Sequence, residues 1–253
     1  MGNNVKKGIQ GGRIIVYTAI FGDYDDLKNP KTEISGCDFV CFTDDPNLKS
    51  DLFDVRLCKN LFTDPARDNR KYKILPHRFF PNYEYSLYVD GSVIIQVNDI
   101  RGLVEKYLHD HSWAVYSHPE RDCIYDEARV CTEAGKDGRE IIEKQIEKYK
   151  KEGYPAHSGL TENSILLRRH NASDTVSLSE AWWLEFEQFS RRDQLSFNYV
   201  AWKQNFCYAL IDGFLWDNEN FKYNNEHFKI KPHKCSIGLN KFEKPYSAFP
   251  LKN

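Results

Sequence analysis

The sequence predicts an α/β fold, a single domain around a mostly parallel mixed sheet. Three observations carry the prediction. Short runs rich in β-branched and aromatic residues end at Gly, Asp or Pro, as buried strands do. Segments with apolar residues at helical spacing alternate with those runs. The 253 residues, 41% hydrophobic and 28% charged, suffice for one large core without disulfide staples.

The elements follow in order. Residues 1–12 are polar and Gly-rich, a flexible lead-in to a domain over 13–253. Residues 13–20 form a strand stopped by Phe21-Gly22-Asp23-Tyr24-Asp25, where Gly22 lets backbone approach a ligand. A second strand at 38–43 stops at Asp44-Asp45-Pro46, and a third short one lies at 53–58. Residues 69–80 are helical, with Pro76 placed to kink or end the helix. Residues 85–90 are a strand closed by Asp90-Gly91-Ser92, and 93–95 continue extended. A helix at 100–109, a strand at 113–116 and a charged helix at 138–153 come next. A strand at 163–168 precedes helices at 178–189 and 194–204. From Gly213 the chain is irregular and reads as a tail that packs over a site.

Composition excludes some classes. The formal net charge is −2, so the chain lacks the basic surface that nucleic-acid binding needs. Local basic clusters at 67–73 and 229–234 suit one small phosphate group as well as they suit a polymer. Seven cysteines without a CxxC pair indicate reduced thiols, and with no apolar run of signal-peptide length the expected location is cytoplasmic. No stretch approaches the roughly 18–20 apolar residues of a membrane span. The 14% aromatic share suits sugar or base stacking, and an ordinary core still better.

In an open α/β sheet, ligands bind beyond the carboxyl ends of the strands. Three strand ends carry polar groups there: Thr18 through Asp25, Thr43-Asp44, and Asp90-Gly91-Ser92. A carboxylate at a buried strand end needs a partner, and a divalent cation on a diphosphate is one. Asp90 and Ser92 sit two residues apart across a Gly turn, although an Asp-Gly turn is also common without function. Asp193-Gln194 opens a helix, where capping is the plain alternative to a role at a reacting carbon. Glu162 precedes a strand and could act as a base or hold a sugar hydroxyl.

Several linked segments, Tyr17 to Asp25, Phe39 to Asp44, Tyr88 to Ser92, His118 to Ala128, Glu162 to Arg168 and Arg192 to Phe197, resemble a family of glycosyltransferase-like domains. Its members include plant proteins tied to seed mucilage and pollen-tube growth, and bacterial proteins. The resemblance implies a GT-A fold, a Rossmann-like nucleotide-binding half joined to an acceptor-binding half. A more distant likeness to the glycogenin and lipopolysaccharide galactosyltransferase group implies a donor diphosphate and a metal at an Asp-x-Asp motif. Here Asp90 matches its first Asp and Ser92 replaces the second. Asp193-Gln194 matches a pair near the reacting sugar. His233, with His227 as a rival, and Lys244-Pro245-Tyr246 loosely match a C-terminal metal and phosphate element.

The roles then expected are these. Thr18, Ala19, Phe21 and Tyr24 hold the nucleoside, with Asp44 on the base or ribose. Arg67, Arg70, Lys73 and Lys244 meet the diphosphate, beside Gly91. Asp90, Ser92 and His233 bind Mn²⁺ or Mg²⁺. His118, Arg121, Tyr125 and Glu127 hold a glycan or lipid-linked glycan acceptor. Trp182 and Trp183 suit sugar stacking or core. Asp193, Gln194 and Glu162 serve the chemical step on a UDP-type hexose donor. Inversion would need a carboxylate to take the acceptor proton, and the distant likeness favours retention. Two other functions compete: a non-catalytic module binding nucleotide-sugar or glycan, and a sugar nucleotidyltransferase. Against the latter, the loop after the first strand has a single Gly and no Lys or Arg.

Overall fold

The structure is a computed structural model that describes residues 12–215 and 218–223. Its strands are β1 (Ile14–Ile20), β2 (Cys37–Thr43), β3 (Asp54–Leu57), β4 (Tyr85–Val89), β5 (Val93–Ile95), β6 (Trp113–Ser117), β7 (Thr161–Arg168), β8 (Ala209–Ile211) and β9 (Phe221–Tyr223). Its helices are α1 (Pro65–Ile74), α2 (Ile100–Tyr107), α3 (Ile124–Glu133), α4 (Arg139–Lys151), α5 (Ser173–Gln188) and α6 (Gln194–Lys203). Seven strands form one sheet in the order β3-β2-β1-β4-β7-β6-β8. Strands β3, β2, β1 and β4 run parallel, β7 is antiparallel to β4 and β6, and β8 is parallel to β6. The sheet is thus the mostly parallel, mixed one expected of a Rossmann-like α/β domain.

Strand β1 shows why its sequence is a continuous apolar run. Ile15, Tyr17 and Ala19 face one apolar layer, with Tyr72 and Ile74 of α1, Trp182 of α5 and Phe197 of α6. Ile14, Val16 and Ile20 face the other, with Val104 of α2, Val93 and Phe221. A strand covered on both faces needs no polar alternation. Pro76 does end α1: a short 3₁₀ turn follows at Pro76–Arg78. Asp64 caps α1 by accepting from Ala66 N–H at 3.0 Å.

Helix α3 and strands β8 and β9 have no counterpart in the sequence reading. The buried stripe of α3 is Ile124, Glu127, Ala128 and Cys131, so its helical spacing passes through a carboxylate. Strands β8 and β9 are three residues each, shorter than a pattern can mark. Strand β9 lies in the segment from Gly213 and pairs with β5, next to the turn after β4. Among the described residues, no helix is long and apolar enough to cross a membrane.

Candidate active site

The polar strand ends meet at one edge of the sheet. The carboxyl ends of β1, β2 and β4 lie there by their parallel register. Antiparallel β7 brings its start to the same edge: Val89 pairs with Ile165, and Asp90 N–H donates to Ser164 O at 2.9 Å. The β6–β7 register breaks between Val115 and Tyr116, whose partners are Leu166 and Glu162. Asp90 and Glu162, 72 positions apart in sequence by their numbers, thereby flank one site.

A buried charge network occupies its centre. Lys73 Nζ, on the last turn of α1, lies 2.8 Å from Asp193 Oδ2 and 3.6 Å from Asp90 Oδ1. Arg70 Nε donates to Asp193 Oδ1 at 3.1 Å, and Tyr88 O–H to Asp90 Oδ1 at 2.6 Å. Residue Asp193 is 3% exposed. Burial opposes its charge, but Lys73 and Arg70 hold its carboxyl well below the usual carboxylate range. Asp193 occupies the N-cap position of α6 without capping it, since its side chain serves Lys73 and Arg70 instead. Trp182 Nε1–H fixes the neighbouring backbone, donating to Ser196 Oγ at 3.0 Å and Asp193 O at 3.3 Å.

Gln194 turns to the other carboxylate. Its Nε2–H donates to Glu162 Oε2 at 3.2 Å, and Arg192 donates to its Oε1 at 2.8 Å. Ser164 Oγ–H donates to Glu162 Oε1 at 2.6 Å. Burial pushes the Glu162 carboxyl above its ordinary value, against the Ser164 hydrogen bond and the Lys73 charge. Tyr223 in β9 joins here, its hydroxyl 2.8 Å from Ser164 Oγ. Burial, then the Glu162 charge, raises its phenol well above the ordinary value. Nothing in the local sequence marks Tyr223, because only the β5–β9 pairing brings it in.

The loop after β1 closes another side. Asp44 holds it, accepting from Gly22 N–H at 3.0 Å and from Asn60 Nδ2 at 3.0 Å. Gly22 has φ +67, a conformation that favours glycine. Ala19 O accepts from the Asn69 amide, and Phe21 is buried against Tyr72. Thr18 is buried, and its Oγ1 finds no hydrogen-bond partner among the described residues. Tyr24 lies within the fields of Asp25, Arg70, Arg192 and Asp90; burial first, then Asp25, raises its phenol. Asp25 abuts the Asp90 turn: a Cβ on Gly91 would sit 2.7 Å from Asp25 Cβ and 3.0 Å from its Oδ2. Gly91 is therefore what lets this carboxylate lie against the turn. Asp25 and Asp90 bring carboxylates to the Gly91 turn, and with the Ser92 hydroxyl these are oxygen donors of the type a hard divalent cation such as Mg²⁺ or Mn²⁺ takes.

The expected acceptor residues divide. His118 Nδ1 accepts from Arg121 N–H at 3.1 Å, and Arg121 Nε donates to Glu127 Oε2 at 2.6 Å. Burial, then the Arg121 charge, lowers the His118 pKa, so its imidazole is held neutral. Cys131 Sγ donates to Glu127 Oε1 at 3.3 Å, within the field of Arg192, which links this cluster to Gln194. Tyr125 instead donates to Tyr154 O at 2.5 Å and lines a cleft of about 460 Å³ between α3 and α4. Arg67 is bound to Phe186 O and Phe189 O, tying α1 to the end of α5. Trp182 and Trp183 are both buried. His227, His233 and Lys244 lie outside the described residues.

Residues 52–230 match the TOD1/MUCI70, glycosyltransferase-like domain. The chain belongs to the TOD1/MUCI70 glycosyltransferase-like family. A probable hexosyltransferase MUCI70 of Arabidopsis thaliana is 30% identical over 216 residues, 74% of this chain and 37% of that protein. The alkaline ceramidase TOD1 of the same plant is 26% identical over 226 residues, 74% of this chain and 48% of that protein. The chain thus spans less than half the length of these curated relatives. The TOD1/MUCI70 match takes in Lys73, Asp90, Glu162 and Asp193-Gln194, and begins after the β1 loop and Asp44.

Proposed function

We propose that this domain moves a hexose-type sugar from a nucleoside-diphosphate donor, a UDP-sugar, to a hydroxyl of a glycan or lipid-linked glycan, with retention of configuration. The observation that carries the reading is the placement of Asp193 between Lys73 and Arg70, with Gln194 on Glu162, at the sheet edge beside Asp90. A carboxylate held ionised by two cations is a poor proton acceptor and a good fixed anion. Asp193 therefore stabilises positive charge at the anomeric carbon rather than taking a proton. The bond from that carbon to the donor phosphate breaks, the bond to the acceptor oxygen forms, and the acceptor proton passes to the departing phosphate oxygen. Lys73, Arg70 and Arg192 bring cationic charge to the same place. Asp90, Ser92 and Asp25 would hold Mg²⁺ or Mn²⁺, with His233 a further expected ligand; when bound, the ion offsets charge on the leaving diphosphate.

Glu162, held by Ser164 and Gln194, receives a sugar hydroxyl, and the His118–Arg121–Glu127 cluster receives the acceptor. Thr18 and Tyr24 border the donor nucleoside, and the described cysteines, all free thiols, support a cytoplasmic setting. The test is release of nucleoside diphosphate from a panel of nucleotide-sugars with Mn²⁺, read with and without oligosaccharide acceptors. Turnover of a UDP-hexose is the expected result. Tight donor binding without turnover identifies a binding module, and pyrophosphate release from a nucleoside triphosphate identifies a nucleotidyltransferase; either overturns the reading.

A further inference from the structure

A second set of metal-ligating side chains lies outside the site described above. Cys123 precedes α3, Asp126 sits in its first turn, and His157 comes from the loop between α4 and β7. One ligand atom of each lies within 4.8 Å of the others. The three side chains come from two segments that the fold brings together: Gly159 N–H donates to Asp122 O at 2.9 Å, and His118 N–H to Leu160 O at 2.8 Å.

His157 is further specified. Its Nδ1 lies 2.8 Å from Asp122 Oδ1. With the proton on Nδ1 facing Asp122, Nε2 carries the lone pair. A carboxylate on one ring nitrogen with the other left for a metal is the usual support of a ligating histidine. Cys123 is buried and unbridged, whereas Asp126 is half-buried and His157 exposed. An ion therefore has a path in from the surface past the imidazole to the thiol. Arg129 Nη2 lies 3.4 Å from Asp126 Oδ1, so binding turns that carboxylate away from a surface ion pair of small worth.

We propose that Cys123, Asp126 and His157 form a zinc site, with Asp122 orienting His157. The thiolate, beside imidazole and carboxylate, selects a borderline ion such as Zn²⁺ over the harder Mg²⁺ or Mn²⁺, which take thiolate poorly. Binding converts the Cys123 thiol to thiolate and releases its proton to solvent. The ion clamps the α4–β7 loop to the start of α3. That helix carries Glu127, and Arg121 immediately precedes the clamp, so the ion braces the frame of the His118–Arg121–Glu127 cluster.

Co²⁺ titration of metal-stripped full-length protein tests the site, because thiolate ligation gives a sulfur-to-cobalt charge-transfer absorption that an all-oxygen site cannot. One Co²⁺ per chain with that band is expected, displaced by Zn²⁺. His157→Asn, which keeps a residue tolerant of the φ of +54 found there, removes the band while the fold survives. Cys123→Ser removes it as well, and Asp122→Asn weakens binding by about 10–100-fold. No thiolate band in the unaltered protein overturns the proposal. So does a band that persists undiminished in His157→Asn or Cys123→Ser.

Discussion

Lys73 is the residue on which the site's electrostatics turn. It is 1% exposed and touches both Asp90 and Asp193. Removing one partner of a buried ion pair leaves the other charged and desolvated. Lys73→Met is expected to destabilise the domain by roughly 3–5 kcal/mol in urea unfolding, with the donor-binding signal lost. His170 sets a separate pH response. It is fully buried with Nε2–H donating to Phe80 O at 2.9 Å, and burial pushes its pKa down to about 4. The unfolded imidazole titrates near 6.5. A depressed folded value means the stability is complete above about pH 6.5 and is lost as pH falls toward 4, by about 3 kcal/mol in all. His170→Gln should shrink the stability difference between pH 7.5 and 4.5 by about 2–3 kcal/mol, read from denaturant midpoints at both pH values.

Among the elements, the β1 loop is tied to the end of β2 through the Asp44 carboxylate. Asp44 bonds Gly22 N–H and Asn60, and nothing in that arrangement supports the core. Asp44→Ala should leave the melting temperature nearly unchanged while raising the donor KM about tenfold, the cost of a lost hydrogen bond or two. An unchanged KM would detach the loop from the donor. The long elements were legible because their patterns are local: β1, β2 and β4 are short runs dominated by β-branched, aromatic and aliphatic residues, and α4 carries Ile141, Ile142, Ile146 and Tyr149 at helical spacing. Helix α3 was hidden because Glu127, a buried carboxylate, interrupts its stripe. Arg67 reads as one more cation of a basic cluster, yet its fork ties α1 to α5, a long-range contact that spacing does not encode.

At the scale of the whole molecule, the fold and the gathering of the candidate site residues were legible for different reasons. Alternating strands and helices fix a doubly covered sheet, and with it the edge where ligands bind. The placing of Asp90 and Glu162 at one site depends on β7 running antiparallel beside β4, and Tyr223 arrives through β9. Asp25 stood in plain view in the first loop, but its place against Gly91 is a tertiary fact. Asp193, gripped by Lys73 and Arg70, is the fixed anion of the proposed sugar-transfer site. The most direct measurement of that role is the steady-state kinetics of nucleoside-diphosphate release from the preferred nucleotide-sugar, with Asp193→Asn beside the unaltered protein. A kcat at least about 100-fold lower is expected in the variant, with donor affinity within a few-fold, since removing one fixed electrostatic contact costs that much in a transition state. A variant that turns over donor at the unaltered rate would contradict that role.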